Sequence, residues 1–170
     1  SYRTVYGYGH PDIKKREEEH PTPSAQEVLL GCYVEQLETQ TREAVLILRS
    51  KGYQTVESGF HNQLSGSQFF HLEETVPTTV SDELIADIYK KFDVAVDYDN
   101  HNRGNGRIIT YIQFIPGSFK DLAQWKECLD YFAEHMPVVG EESFSTVGSA
   151  MLFWEQIKQR FTLESVDRKS

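Results

Sequence analysis

Residues 93–117 of the chain read DVAVDYDNHNRGNGRIITYIQFIPG, and this stretch carries the clearest structural signal in the sequence. Residues 93–99 and 107–115 are rich in β-branched and aromatic side chains, whereas the residues between them are mostly Asn and Gly. Such runs on either side of a turn-forming segment predict a β-hairpin, which Pro116 and Gly117 bring to an end. In the first strand apolar and acidic residues alternate, so one face is expected in the core and the other in solvent.

A second hairpin is expected earlier in the chain, over residues 53–60 and 68–73. The polar loop between its strands contains Gly66, and the two hairpins are similar in length. Because His61 and His101 occupy matching positions in the two hairpins, a tandem α-β-β repeat is one interpretation. The other interpretation is that Asn and Gly recur in both turns because the backbone of a turn requires them.

A helix is predicted to begin at Ser24, where Ser24 and Glu27 have the spacing of a capping box. Apolar residues then recur every three or four positions as far as Gly52, which predicts one long helix with a single apolar stripe. Two further helices are expected, one after the cap residue Ser81 and one over residues 118–136.

The order of these elements predicts the fold class. Hairpins separated by helices favour an α+β fold, with an antiparallel sheet of about four strands and helices packed on one face. The chain has 170 residues, which is enough for one domain of ordinary size. We assign residues 24–163 to that domain, with a last helix over residues 150–161. Residues 1–23 are expected to form an extended or flexible arm, and residues 164–170 a polar tail.

The charge of the chain argues against whole classes of partner. It has 17 basic and 26 acidic side chains, a net charge of −9, and none of the ranges 1–24, 25–117 and 118–170 is net positive. Proteins that hold nucleic acid or anionic membranes do so with clustered Lys and Arg, so neither is expected as a partner. No stretch approaches the length of an apolar membrane span, and a soluble protein is expected.

The two cysteines, Cys32 and Cys128, fall within predicted helices and do not have the spacing of a disulfide scaffold or a zinc site. Reduced, structural thiols of this kind are typical of intracellular proteins. The sequence does not open with a signal-peptide pattern, and a cytoplasmic location is therefore expected.

The hairpins also contain a group of side chains that can carry chemistry. By strand alternation Asp97 and Asp99 share a face, which His101 joins if the strand continues. His and carboxylate groups that converge from different strands are typical ligands of zinc and related divalent metals. The candidate metal site consists of His61, His71, Asp97, Asp99 and His101.

A simpler interpretation of the same residues is the solvated face of a sheet, on which polar side chains alternate with buried ones. None of the spacings matches a known ligand motif such as His-Glu-x-x-His, and no catalytic motif is evident. The sequence therefore favours a small binding or protein-interaction domain, whose partner is a small-molecule ligand or another protein. The alternative is a metal-dependent hydrolase that uses the His and Asp residues of the two hairpins.

Aromatic residues near the two ends of the chain favour an interface. Tyr2, Tyr6 and Tyr8 lie in the predicted arm, and Phe153 and Trp154 lie in the predicted last helix. Aromatic side chains are common anchors in protein interfaces, and the long first helix offers a seam along which two copies can pair as a homodimer. Alternatively, the same rings wrap around the core of their own domain.

Overall fold

The computed structural model of the chain describes residues 11–63 and 65–140. In these ranges four strands form one antiparallel sheet in the order β1-β2-β4-β3. The strands are β1 (Thr55–Phe60), β2 (Gln68–Glu74), β3 (Val94–Gly104) and β4 (Arg107–Pro116). The second strand of each hairpin lies in the centre of the sheet and the first lies at an edge. Both predicted hairpins are confirmed.

Helices pack against this sheet through a shared buried cluster. Within the described ranges they are α1 (Pro11–Glu19), α2 (Ala25–Leu30), α3 (Arg42–Ser50), α4 (Asp82–Phe92) and α5 (Leu122–His135), with a short 3-10 turn at Val34–Gln36. This arrangement confirms the predicted α+β class. Over the same ranges, no helix is long and apolar enough to cross a membrane.

Two α-β-β units, α3-β1-β2 and α4-β3-β4, follow each other in the chain and meet where β2 pairs with β4. This order is the one that a tandem repeat would produce, and the duplication itself stays a prediction. The helix predicted over residues 150–161, the polar tail and the aromatic residues at the two ends of the chain lie outside the described residues.

The core lies between the helices and one face of the sheet. Phe70 and Leu72 of β2 and Ile112 and Phe114 of β4 are completely buried, in the same cluster as Trp125 of α5. The rings of Phe70 and Phe114 meet edge-on, with centroids 5.6 Å apart. Burying a side chain of this size contributes about 1.5–3 kcal/mol, so alternation along each strand determines which face points inward. The residues between these, on both strands, form the opposite face.

The single long helix predicted from Ser24 to Gly52 is wrong. α2 ends at Gly31, which adopts a left-handed conformation with φ of 77°, and an irregular segment precedes α3. The cause is the side chain of Glu27, which accepts hydrogen bonds from the backbone N–H of Ser24 at 2.9 Å and from that of Val34 at 2.9 Å. The chain must turn back for both bonds to form. Because the long helix is absent, the homodimer seam that it suggested loses its basis.

α1 lies within the segment 1–23 that the sequence analysis expects to be extended or flexible, so the structure differs from that expectation over the helix. Ile13 is buried on the inner side of α1. The Arg16 guanidinium donates to the Glu27 carboxylate, with Nη1 2.6 Å from Oε2, and to that of Glu35 at 3.2 Å. These partners are distant in sequence, so no local sequence pattern predicts the helix.

The loop predicted over residues 100–106 is mostly strand. β3 continues to Gly104, and only Asn105 and Gly106 turn the chain. Their φ angles are 47° and 78°, the left-handed pair that a two-residue type I′ hairpin requires. The longer β3 includes His101, which therefore stays in register with the rest of the strand.

Candidate functional site

The sheet face opposite the helical core, which we call the outer face, is formed by alternate residues of the four strands. Its central row contains four residues in register: Glu57, His71, Tyr111 and Asp99. The row beside it contains Gly59, Phe69, Gln113 and Asp97. Side chains that are directly opposite on neighbouring strands are close enough to interact, so each row is a continuous line of contacts across the sheet.

Five aromatic rings follow one another across the outer face. His61 lies against Phe69 with ring centroids 4.6 Å apart, and Phe69 lies against His71 at 4.5 Å. The rings of His71 and His101 both stand nearly perpendicular to that of Tyr111, at 4.5 and 5.1 Å. Edge-to-face rings at such distances attract each other. The Tyr111 ring is thus held between two imidazoles that come from different strands.

Each of these two imidazoles also contacts a carboxylate. Oε2 of Glu57 lies 3.2 Å from Nδ1 of His71, and Oδ2 of Asp99 lies 2.8 Å from Nε2 of His101. The first pair is half-buried, whereas the second is exposed. Even an exposed ion pair contributes only about 0–1 kcal/mol, so Asp99 can exchange this exposed contact for one with a positively charged partner at little cost.

All the residues of the predicted metal site lie on the outer face or at its rim: His61, His71, Asp97, Asp99 and His101. Asp99 and His101 are in direct contact, and the Tyr111 ring lies between His101 and His71. Among the described residues, no group of three or more His, Cys, Asp or Glu side chains is arranged to hold a metal ion. The metal site and the metal-dependent hydrolase stay predictions.

A shallow depression of about 400 Å³ lies on the β3 side of the outer face. It is lined by Asp97, Tyr98, Asp99, His101, Tyr111 and Gln113. The lining contains two carboxylates and no Lys or Arg side chain. The carboxylate of Asp97 forms no hydrogen bond or ion pair with any residue in the described ranges. Carboxylates beside aromatic rings attract positively charged groups, so a lining of this composition favours cations over anions.

The arginines of the β3–β4 hairpin lie near its turn, away from the depression. Nε of Arg103 and Nη2 of Arg107 approach the Glu73 carboxylate at 3.9 and 3.8 Å. Glu73 therefore neutralises part of their charge. The end of the hairpin that holds Asp97 and Asp99 keeps its negative charge.

The lining residues that are not among the predicted site residues are Tyr98, Tyr111 and Gln113. Residues 107–115 contain so many apolar side chains that alternation alone does not identify the outward face. The turn alone does not identify it either, because a two-residue turn at Asn105 and Gly106 with no bulge would pair Asp99 with Ile112. The register shift between Asn102 and Gly104 moves that pairing by one residue and places the odd-numbered residues of β4 on the outer face.

The cysteines are poor candidates for nucleophiles. Burial raises the pKa of the Cys128 thiol to about 12. Burial also raises the pKa of the half-buried Cys32, against the opposing effect of Arg49. Because the thiolate is the reactive form, these shifts favour inert thiols, and both cysteines are free of disulfides.

Comparisons with protein-family models, with curated proteins and with solved structures found no match to this chain. The geometry and charge of the outer face are therefore the features that point to a function.

Proposed function

We propose that this chain is a binding domain that recognises a positively charged ligand on its outer face, in the depression beside β3. The observation that carries the proposal is the lining of that depression. Two carboxylates, the phenol ring of Tyr111 and an imidazole border one open space, with no basic side chain among its lining residues. A binding domain is also the class of function that the sequence favours.

The ligand group that suits this lining is an ammonium or a guanidinium. Asp97 offers a carboxylate that has no partner in the described part of the chain, and Asp99 offers one that is shared with an exposed imidazole. The ring of Tyr111 adds an electron-rich surface beside them. Because the depression is open to solvent, a single cation is expected to bind weakly, with a Kd of about 1 mM.

Titration of the isotope-labelled protein with L-arginine amide, followed by NMR, tests this proposal. We expect saturable chemical-shift changes confined to the backbone amides around Asp97 and Tyr111, and we expect added salt to weaken the binding. Acetate, which has the opposite charge, is expected to cause no saturable shift. Asp97→Asn keeps the shape of the side chain and removes its charge, and should weaken binding roughly fivefold.

The matched control is Glu127→Gln, which removes one exposed carboxylate from α5, on the helical side of the sheet. Its affinity for arginine amide should equal that of the unchanged protein. Shifts spread over the whole surface, or equal affinity in the Asp97 variant, would overturn the proposal. A parallel titration with zinc addresses the hydrolase, since stoichiometric binding that His71→Ala abolishes would favour that alternative.

A further inference from the structure

β3 is the longer of the two edge strands, and one side of its backbone faces away from β4. It has 11 residues, Val94–Gly104, and within the described ranges it pairs with β4 alone. β1, at the opposite edge, has 6 residues and a bulge between Thr55 and Glu57, whereas the register shift in β3, between Asn102 and Gly104, lies near the turn and beyond Asp97 and Asp99. An open edge presents a row of N–H and C=O groups that can pair with a further strand.

The side chains along this edge alternate between charge and aromatic surface. Asp97 and Asp99 are exposed and stand two positions apart, so they point to the outer face. Tyr98 stands between them and packs, half-buried, against the core on the inner face. The edge therefore combines two carboxylates on a single side with backbone groups that pair with no strand in the described ranges.

We propose that β3 takes up an extended segment of a protein partner as a fifth strand, with Lys or Arg at two alternate positions facing Asp97 and Asp99. This inference rests on the proposed function, because it identifies the positively charged ligand as part of a peptide. Backbone pairing supplies the affinity that a single cation lacks, and the two charges supply the selectivity.

The spacing of the carboxylates defines the peptide. Directly opposed residues on neighbouring antiparallel strands have Cβ atoms about 4.5–5.5 Å apart, and alternate residues share a face. A basic-x-basic sequence therefore sets one cation against each carboxylate. Arg is favoured because its guanidinium pairs with a carboxylate through two parallel hydrogen bonds. Residue x falls beside Tyr98, where an apolar side chain is favoured.

A second copy of this chain fits the same edge poorly. If β3 paired antiparallel with β3 of another molecule about Tyr98, Asp97 of each copy would face Asp99 of the other. Like charges directly opposite each other destabilise a strand pair. The net charge of −9 adds a longer-range repulsion between copies. A basic partner removes both penalties.

Fluorescence anisotropy with labelled hexapeptides tests the inference. The parent peptide is TRVRVT, its charge control is TEVEVT, and two further versions carry N-methyl groups on one or the other alternate set of backbone amides. We expect TRVRVT to bind at least about tenfold more tightly than arginine amide, because it adds backbone pairing to the two charges. One of the N-methylated peptides should lose about tenfold, since its methyl groups face β3, and TEVEVT should not bind.

Protein variants provide the complementary test. The double change Asp97→Asn and Asp99→Asn should weaken TRVRVT about tenfold, whereas Glu127→Gln should leave it unchanged. If both N-methylated peptides bind as tightly as TRVRVT, strand addition is overturned while the proposed cation site survives. If neither TRVRVT nor arginine amide binds, both proposals fail together. Equal binding of TEVEVT would overturn the charge complementarity.

Discussion

The guanidinium of Arg16 donates two hydrogen bonds to the carboxylate of Glu27, a residue that is only 2% exposed. The same carboxylate accepts the backbone N–H groups of Ser24 and Val34. One buried charge therefore joins α1, the first turn of α2 and the chain that follows the end of α2. The position of α1 on the domain depends on this charge and its partner.

Removing the guanidinium should destabilise the fold. In Arg16→Ala the Glu27 carboxylate stays buried without a counter-charge, and we expect the free energy of unfolding to fall by about 3 kcal/mol. Urea denaturation followed by circular dichroism measures the change. Lys15→Ala removes an exposed cation from the same helix and should change stability by less than about 0.5 kcal/mol. Equal losses in the two variants would contradict this account of the Arg16 pair.

The same carboxylate predicts a loss of stability in acid. Burial raises the pKa of Glu27, but Arg16, the N–H groups of Ser24 and Val34 and the Ser24 hydroxyl together lower it to about 2, against an ordinary value of 4.5. Because the folded pKa is the lower one, the stabilisation is complete above about pH 4.5 and is lost as the pH falls towards 2. Urea denaturation at several pH values between about 6 and 3 should show the decline. In Glu27→Gln the decline should be shallower, and an unchanged slope would refute the assignment.

Glu38 predicts a pH dependence of the opposite sign. Its side chain is 1% exposed, and Oε2 has no hydrogen-bond partner. Burial raises its pKa to about 7, although a hydrogen bond from Gln40 opposes the shift. The folded state then holds a proton that the unfolded chain releases, so this group lowers stability as the pH rises from about 4.5 through 7.

Glu38→Gln removes this ionisation while keeping the shape of the side chain. We expect the variant to gain about 1–3 kcal/mol at pH 8 and little or nothing below about pH 4.5, as measured by urea denaturation. Glu43→Gln, an exposed change on α3, is the control and should be neutral at both pH values. If the stability difference between Glu38→Gln and its parent is the same at both pH values, the pKa of the Glu38 carboxyl is not raised in the folded protein.

The sequence predicts the hairpins well because strand alternation is a local property. His71 between the buried Phe70 and Leu72 is enough to assign an outward position, and the same rule assigns Asp97 and Asp99. For this reason the candidate residues on the outer face can be predicted from the sequence.

Two features escape local reasoning because distant residues determine them. The hydrogen bond from the Val34 N–H to the Glu27 carboxylate ends α2 at Gly31. The helical spacing of the apolar residues gives no indication of that bond. The contact of Tyr111 with His71 follows from pairing between different hairpins, where β2 meets β4. No pattern within either hairpin specifies that register.

The turn at Asn105 and Gly106, together with the register shift between Asn102 and Gly104, sets how β3 pairs with β4, and altering the turn should affect the outer face. Gly106 has φ of 78°, and a Cβ there would meet no atom within 4 Å. Gly106→Ala therefore tests backbone conformation alone, and we expect it to lower the free energy of unfolding by about 1–2 kcal/mol. Hydrogen exchange should accelerate at the amides near His101 and its partner Ile109, which lie towards the turn.

Asn105→Gly is the matched control for this turn. Its φ of 47° is also left-handed, so glycine fits there without strain and exchange near His101 should not accelerate. In Gly106→Ala, arginine amide should bind more weakly only if the loss of strand pairing extends from the turn to Asp99. The other end of β3 stays paired, since Val94 lies opposite Pro116. Unchanged exchange at His101 in Gly106→Ala would mean that the sheet, rather than the turn, determines the register of this hairpin.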